Sequence, residues 1–85
     1  MKLNLSSLLK IVADSTESEK HEVNFDSSMN SLDGWDSLGH ISILSKLDIV
    51  TDGKASEIDT LADCKSVKDL IKSLKSKSLY DEEIT

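Results

Sequence analysis

Three stretches of the 85-residue chain place Leu, Ile or Val every three or four residues. This period predicts amphipathic α-helices, because such residues share one face of a helix. The clearest stripes are Leu5, Leu8, Leu9 and Val12 near the start, and Val67, Leu70, Ile71 and Leu74 near the end. The chain also has no proline and few aromatic residues, which favours packed helices over a sheet sandwich.

Capping residues and the ends of the apolar period predict the helix boundaries. Ser66-Val67-Lys68-Asp69 fits a capping box, and Asp52-Gly53 is a stop signal. The predicted helices span about 4–14, 37–51, 57–62 and 66–77. The expected fold is therefore all-α, a small four-helix bundle of three substantial helices and one short helix. It forms a single domain over residues 1–85, with a frayed tail at 80–85.

The second and last helices are predicted to meet in the core. The apolar rows of those helices are expected to face one another through Ile41, Leu44, Leu47, Leu70, Ile71 and Leu74. A chain of this size buries a modest core, so an enclosed enzyme cleft is not expected.

A long connection from His21 to Trp35 separates the first two helices. It has no sustained period, yet apolar residues are spaced through it: Val23, Phe25, Met29 and Leu32. A solvated linker would not need these side chains, so we expect them to pin the loop to the core. A long loop in a compact domain is usually functional.

The formal net charge is −6 and the isoelectric point is about 4.7. Because nucleic acids and anionic membranes bind lysine and arginine, neither is an expected partner, whereas a basic protein surface is. Cys64 is the only cysteine, so no internal disulfide is possible, and we expect a small, semi-buried thiol. No segment resembles a signal peptide or a membrane span, so we expect a cytoplasmic monomer.

Two patterns imitate catalytic or metal sites. Ser37 lies near Asp36 and His40, but the preceding Gly34 is one place too early for a nucleophile elbow. The segment from Asp48 to Gly53 resembles part of a calcium loop, but its third position is a valine. We therefore expect no catalytic residue, no metal site and no enzymatic activity.

The segment LDGWDSLGH, residues 32–40, leads into the second helix. Asp36 and Ser37 are both good helix caps, and only one of them is needed. The helix start also suits a phosphate on Ser37, because free N–H groups and the helix dipole favour an anion. Gly39 would let a bulky group approach the backbone. From the residues alone, Ser37 is either a cap or an attachment point.

Asp36-Ser37-Leu38, after a long loop and at the start of the second helix of an acidic domain, resembles the acyl carrier protein family. The segment from Ser66 to Leu74 also corresponds, and the resemblance covers nearly the whole chain. It implies that Ser37 carries a 4′-phosphopantetheine arm taken from coenzyme A. It also implies that Asp36 helps to organise magnesium and the phosphopantetheinyl transferase. Leu38 is then either a recognition contact or a core residue, and Trp35 packs beside the arm or within the core.

The family resemblance implies a carrier of acyl or aminoacyl thioesters whose partners are loading and transferring enzymes. The second helix carries His40, Ser42, Ser45 and Lys46 where fatty acid carriers have several glutamates. This departure favours a specialised pathway, such as surface polysaccharide or aminoacyl transfer. The alternative is a small helical interaction module without a prosthetic group, in which Ser37 is only a cap.

Overall fold

The computed structural model of the protein describes residues 3–81. Three α-helices form the fold: α1 is Leu5–Thr16, α2 is Ser37–Val50 and α3 is Val67–Ser76. Short 3-10 segments lie at Lys20–Glu22, Ala55–Glu57 and Asp59–Asp63. The described residues form no strand beyond isolated bridges, so the predicted all-α class is confirmed. Within the same part of the chain, none of the helices has the length and apolar character needed to cross a membrane.

Each α-helix begins after a residue whose side chain accepts a backbone N–H from the first turn. These caps are Asn4, Asp36 and Ser66. A cap of this kind contributes about 1 kcal/mol to stability. The predicted capping box is half present: Ser66 accepts from the Asp69 N–H, but the Asp69 carboxylate accepts from the Lys65 N–H instead of the Ser66 N–H.

The core lies where α1, α2, α3 and the loops meet. Its most deeply buried side chains come from every α-helix and from the connections between them: Leu8, Val12, Trp35, Ile43, Leu47, Leu61, Val67, Leu70 and Leu74. Ile71 is also buried, so the predicted inward face of α3 is confirmed.

The predicted inward face of α2 is partly wrong. Ile41 is 58% exposed and Leu44 is only half-buried, whereas Leu47 is buried as expected. The buried side of α2 instead runs through Gly39, His40, Ile43 and Leu47. Because α2 has apolar residues all around its circumference, the apolar period alone does not select one face.

The long first loop is held against the core as predicted, with one exception. Val23 and Leu32 are buried, and Met29 packs against the core. Phe25 is 45% exposed, so the prediction that it pins the loop to the core is wrong.

Backbone hydrogen bonds join the same loop to the start of α3. The Met29 N–H donates to the Lys65 carbonyl at 2.9 Å, and the Val67 N–H donates to the Ser27 carbonyl at 3.0 Å. The loop that leads into α2 is therefore fixed to α3 as well as to the core.

The short helix expected at about 57–62 is replaced by two 3-10 segments, which meet at the extended residue Ile58. The buried side chains of this region are Ala55, Ile58, Leu61 and Cys64. They recur every three residues, which is the period of a 3-10 helix. The region from Ala55 to Cys64 therefore packs a single row of side chains into the core and forms no regular α-helical turn.

The predicted tail at 80–85 begins in an ordered contact. The Leu3 N–H donates to the Leu79 carbonyl at 2.8 Å, and the Asp81 N–H donates to the Leu3 carbonyl at 2.6 Å. Tyr80 thereby forms an isolated parallel bridge with Leu3. Fraying is therefore wrong for residues 80 and 81, and the rest of the predicted tail lies outside the described residues.

Candidate functional site

Ser37 is the first residue of α2, and its side chain is exposed. Asp36 caps the helix, since its carboxylate accepts the Gly39 N–H at 2.9 Å. The Ser37 hydroxyl makes no hydrogen bond with any residue in the described range. Of two adjacent candidate caps, the helix uses Asp36 and leaves the serine oxygen open to solvent.

Leu38 points away from the core. It is 76% exposed, which excludes the core-packing alternative for this residue. Ile41 and Ile49 are exposed on the same side of α2, three and eleven residues further along. The outward face of α2 therefore combines exposed apolar side chains with serines such as Ser45, while a recognition role for Leu38 stays a prediction.

Trp35, two residues before Ser37, is a core residue and is only 1% exposed. Its indole Nε1–H donates to Nδ1 of His40 at 3.1 Å, and the two ring planes are nearly parallel, with an interplanar angle of 14° and centroids 6.2 Å apart. Nε2 of His40 lies 2.9 Å from the Leu61 carbonyl oxygen. This arrangement fixes the end of the loop to α2 and to the 3-10 segment beneath it.

The same hydrogen bonds distinguish the two ring nitrogens of His40. Nδ1 accepts from Trp35, and Nε2 must donate to Leu61 because a carbonyl oxygen only accepts. These two hydrogen bonds therefore assign the ring proton to Nε2. Neither nitrogen is directed to the Ser37 hydroxyl. The sequence did not indicate that His40 joins Trp35 to Leu61. A histidine three residues after a serine first suggests a general base.

Two glycines let the loop pass close under α2. A Cβ atom on Gly39 would meet the carbonyl oxygen of Gly34, and a Cβ atom on Gly34 would meet the backbone of Thr16. The group that approaches Gly39 is therefore the chain's own loop. The close packing of α1, loop and α2 at these glycines holds Ser37 at a fixed place.

Gly39→Ala should destabilise the protein, although alanine is the better helix former. The propensity gain is about 0.5 to 1 kcal/mol, but overpacking against backbone atoms costs about 1 to 3 kcal/mol. The measurement is urea unfolding of Gly39→Ala beside Ser45→Ala, an exposed control on the same helix. A Gly39→Ala variant as stable as the wild type would contradict the close approach.

Two surface clefts border the start and the side of α2. One lies next to Ser37 between the end of α1 and the start of α2, and its carboxylates are those of Asp14, Glu17 and Asp36. The other has a volume of about 380 Å³ and lies between α2 and the 3-10 segments. Its apolar lining comes from Leu44, Ala55, Ile58, Leu61 and Ala62. Both neighbours of Ser37 in the sequence, Asp36 and Leu38, line the acidic cleft.

Comparisons of the chain with protein-family models, with curated proteins and with solved structures found no match.

Cys64 is a free thiol, and at 5% exposure it is more deeply buried than the predicted semi-buried position. Burial raises the pKa of the Cys64 thiol above its ordinary value; the hydrogen bond to Ser73 lowers that pKa, and the carboxylates of Asp69 and Asp63 raise it again. The net direction is upward, so the thiol form is favoured at neutral pH. The thiolate is the reactive form, and we assign Cys64 a packing role.

The segment that resembles a calcium loop forms the end of α2 and the turn after it. The Gly53 N–H donates to the Asp48 carbonyl at 2.8 Å, and Asp52 and Gly53 both have positive φ. Across residues 3–81, no group of three or more His, Cys, Asp or Glu side chains is placed to hold a metal ion. Asp52-Gly53 acts as the helix stop that the sequence predicted.

Proposed function

We propose that this chain is an acyl carrier protein. It carries acyl or aminoacyl groups as thioesters on a 4′-phosphopantetheine arm attached to Ser37, and it presents them to partner enzymes. The observation that carries the proposal is the Ser37 hydroxyl, which is exposed and makes no hydrogen bond within the described chain. The resemblance of Asp36-Ser37-Leu38 and of the α3 sequence to the carrier family supports it.

The start of α2 suits a phosphodiester on Ser37. The first N–H groups of a helix have no partner within the helix, and the positive end of its dipole favours an anion by about 0.3 to 1 kcal/mol. Because Asp36 is the cap, a bulky group on Ser37 removes no hydrogen bond from the helix start. When bound, the arm supplies a terminal thiol that carries the cargo as a thioester.

Attachment requires Ser37 to act as a nucleophile within a phosphopantetheinyl transferase. Its oxygen attacks the pantetheine-side phosphorus of the coenzyme A pyrophosphate and loses its proton to water. The bond from that phosphorus to the bridging oxygen breaks, and adenosine 3′,5′-bisphosphate leaves. Asp36 uses one carboxylate oxygen for Gly39 and remains exposed. Its second oxygen is available to the magnesium ion that the transferase uses.

The apolar cleft between α2 and the 3-10 segments is the proposed shelter for an apolar cargo. It opens along the side of the helix that begins at Ser37, and Leu44 and Ile58 lie in its lining. The 3-10 segments cover α2 with single side chains, so a small outward shift of this region would enlarge the cleft. A chain stored there gains about 0.8 kcal/mol for each buried methylene group.

The outward face of α2 favours a specialised set of partner enzymes. Leu38, Ile41 and Ile49 are exposed there, and the helix lacks a row of glutamates. Partners that bind this face would contact exposed apolar side chains and serine hydroxyls in place of a glutamate row. The proposed carrier is a monomer in the cytoplasm. Its single cysteine suits a reducing compartment, and the cytoplasm also supplies coenzyme A.

The test is modification in vitro. The protein is incubated with coenzyme A, magnesium and a broad-specificity phosphopantetheinyl transferase, and its intact mass is measured. We expect a gain of one phosphopantetheine and one new reactive thiol, mapped by peptide analysis to the segment that contains Ser37. Absence of any gain, with an authentic carrier modified in parallel, would refute the carrier function.

A further inference from the structure

A second surface feature lies away from Ser37, where α3 meets the start of α1 and the first loop. It is a cleft of about 440 Å³ whose rim carries Lys68, Lys72 and Lys75. Leu5, Phe25 and Ile71 supply its apolar lining. We call it the basic cleft, and the carrier function proposed above does not use it.

The charged side chains that line the basic cleft are all lysines, although the chain as a whole is acidic. The formal net charge is −6, yet three lysines lie on one side of α3 at four-residue and three-residue steps. Lys68 is 3.0 Å from the Asp26 carboxylate, but both side chains are largely exposed, so this pair is weak and exchangeable. A concentrated positive rim on an acidic protein attracts an anionic group locally.

The lining adds apolar surface to the same place. Phe25 is exposed although the other apolar residues of its loop are held against the core, and Leu5 is also exposed. The Lys68 ammonium lies 5.2 Å from the centre of the Phe25 ring, and Lys75 lies 5.8 Å from that of Tyr80. Cation–π contacts of this kind keep the charged groups beside the apolar lining. The cleft therefore offers positive charge and apolar contact together.

We infer that the basic cleft binds an extended acidic segment of a partner protein, with carboxylates against Lys68 and Lys72 and apolar side chains over Phe25 and Leu5. The spacing of Lys68 and Lys72 along α3 matches that of side chains in an extended peptide. Residues four apart on a helix are separated by a rise of about 6 Å, and alternate side chains of an extended peptide are about 6.6 Å apart. Two carboxylates at alternate positions can therefore face both lysines.

A membrane surface fits the basic cleft less well than a peptide does. Each lysine near an anionic membrane contributes about 1 kcal/mol, and the remaining acidic surface of the chain opposes that attraction. The apolar lining is also concave, which suits an inserted side chain better than a flat bilayer. An acidic peptide satisfies both the charge and the shape.

The experiment uses the full chain and a synthetic peptide, Asp-Glu-Phe-Glu-Asp-Leu, with titrations followed by chemical shifts of the backbone amides. We expect shifts concentrated at Phe25, Lys68 and Lys72. The Lys68→Glu/Lys72→Glu variant should weaken binding by about tenfold or more, since two attractive contacts become repulsive. The matched control is Lys10→Glu/Lys54→Glu, which changes the net charge equally at exposed sites outside the cleft.

One further peptide and one further variant distinguish an acidic peptide site from nonspecific charge attraction. We expect Phe25→Ser, and a peptide whose acids are replaced by amides, to bind more weakly than the original pair. Equal weakening by the control variant, or shifts spread evenly over the surface, would overturn the proposal. Binding to phosphatidylglycerol vesicles without binding to the peptide would overturn it as well. None of these results depends on modification of Ser37.

Discussion

Ser37→Ala is expected to abolish phosphopantetheine uptake while the protein remains folded. The variant removes the nucleophilic oxygen, and no other group lies at the start of α2 to replace it. Its stability should stay within about 0.5 kcal/mol of the wild type, because the hydroxyl makes no hydrogen bond with any of residues 3–81 and Asp36 keeps the cap. The measurements are intact mass after incubation with the transferase and coenzyme A, and urea unfolding of the same preparation.

Two further variants separate attachment from helix capping. Ser45→Ala removes another exposed serine of α2 and should be modified like the wild type. Asp36→Ala keeps the Ser37 hydroxyl but loses the cap, so it should lose about 0.5 to 2 kcal/mol of stability. If Ser37→Ala were still modified, or lost as much stability as Asp36→Ala, the assignment of the two residues would be wrong.

Leu70→Ala is expected to cause one of the largest stability losses available in this chain. Leu70 is fully buried on α3, and deletion of a buried leucine side chain costs about 2 to 5 kcal/mol. That is a large share of the roughly 5 to 15 kcal/mol of stability typical of a domain. The matched variant is Ile41→Ala on α2, where the exposed side chain should change stability by no more than about 0.5 kcal/mol. Both are measured by urea unfolding.

Leu44→Ala provides an intermediate point in the same series. Leu44 is half-buried and lines the apolar cleft, so its loss should fall between those of Leu70→Ala and Ile41→Ala. Equal losses for Leu70→Ala and Ile41→Ala would contradict the packing of α2 described above.

The boundaries of α3 could be predicted from the sequence because several signals coincide there. Ser66 caps the helix, and its apolar stripe has lysines on the other side, so only one face suits the core. The orientation of α2 could not be predicted in the same way. Leu38, Ile41 and Ile49 are apolar but outward, and the inward side includes Gly39 and His40. Composition does not distinguish an apolar face that packs from one that remains exposed.

The region after α2 has a three-residue spacing of apolar residues that predicts a 3-10 helix, and the expected α-helix at about 57–62 did not take it into account. Ala55, Ile58, Leu61 and Cys64 recur at steps of three, and all four are buried. An α-helix would spread such residues around its surface, whereas a 3-10 helix aligns them. Phe25 could not be assigned from the sequence for another reason. An apolar loop residue can line a surface cleft and not the core, as Phe25 does.

At the candidate site, the sequence located the serine but left its role open. Asp36 and Ser37 are equivalent as caps by residue type, and only the hydrogen bond to Gly39 distinguishes them. The contact between Trp35 and His40 joins residues five apart across a helix start, a relation that no simple period describes. The close passage of Gly34 under Gly39 likewise depends on how the loop crosses α1 and α2.

The burial of Trp35 gives the chain a built-in fluorophore at the place of interest. Trp35 is the only tryptophan of the chain and lies two residues before Ser37. Its indole is buried and donates a hydrogen bond to His40. Its emission wavelength and quenching thus report on the loop and α2 start without an attached dye. A loosening of this junction shifts the emission to the red, so optical titrations can follow loading and docking in real time.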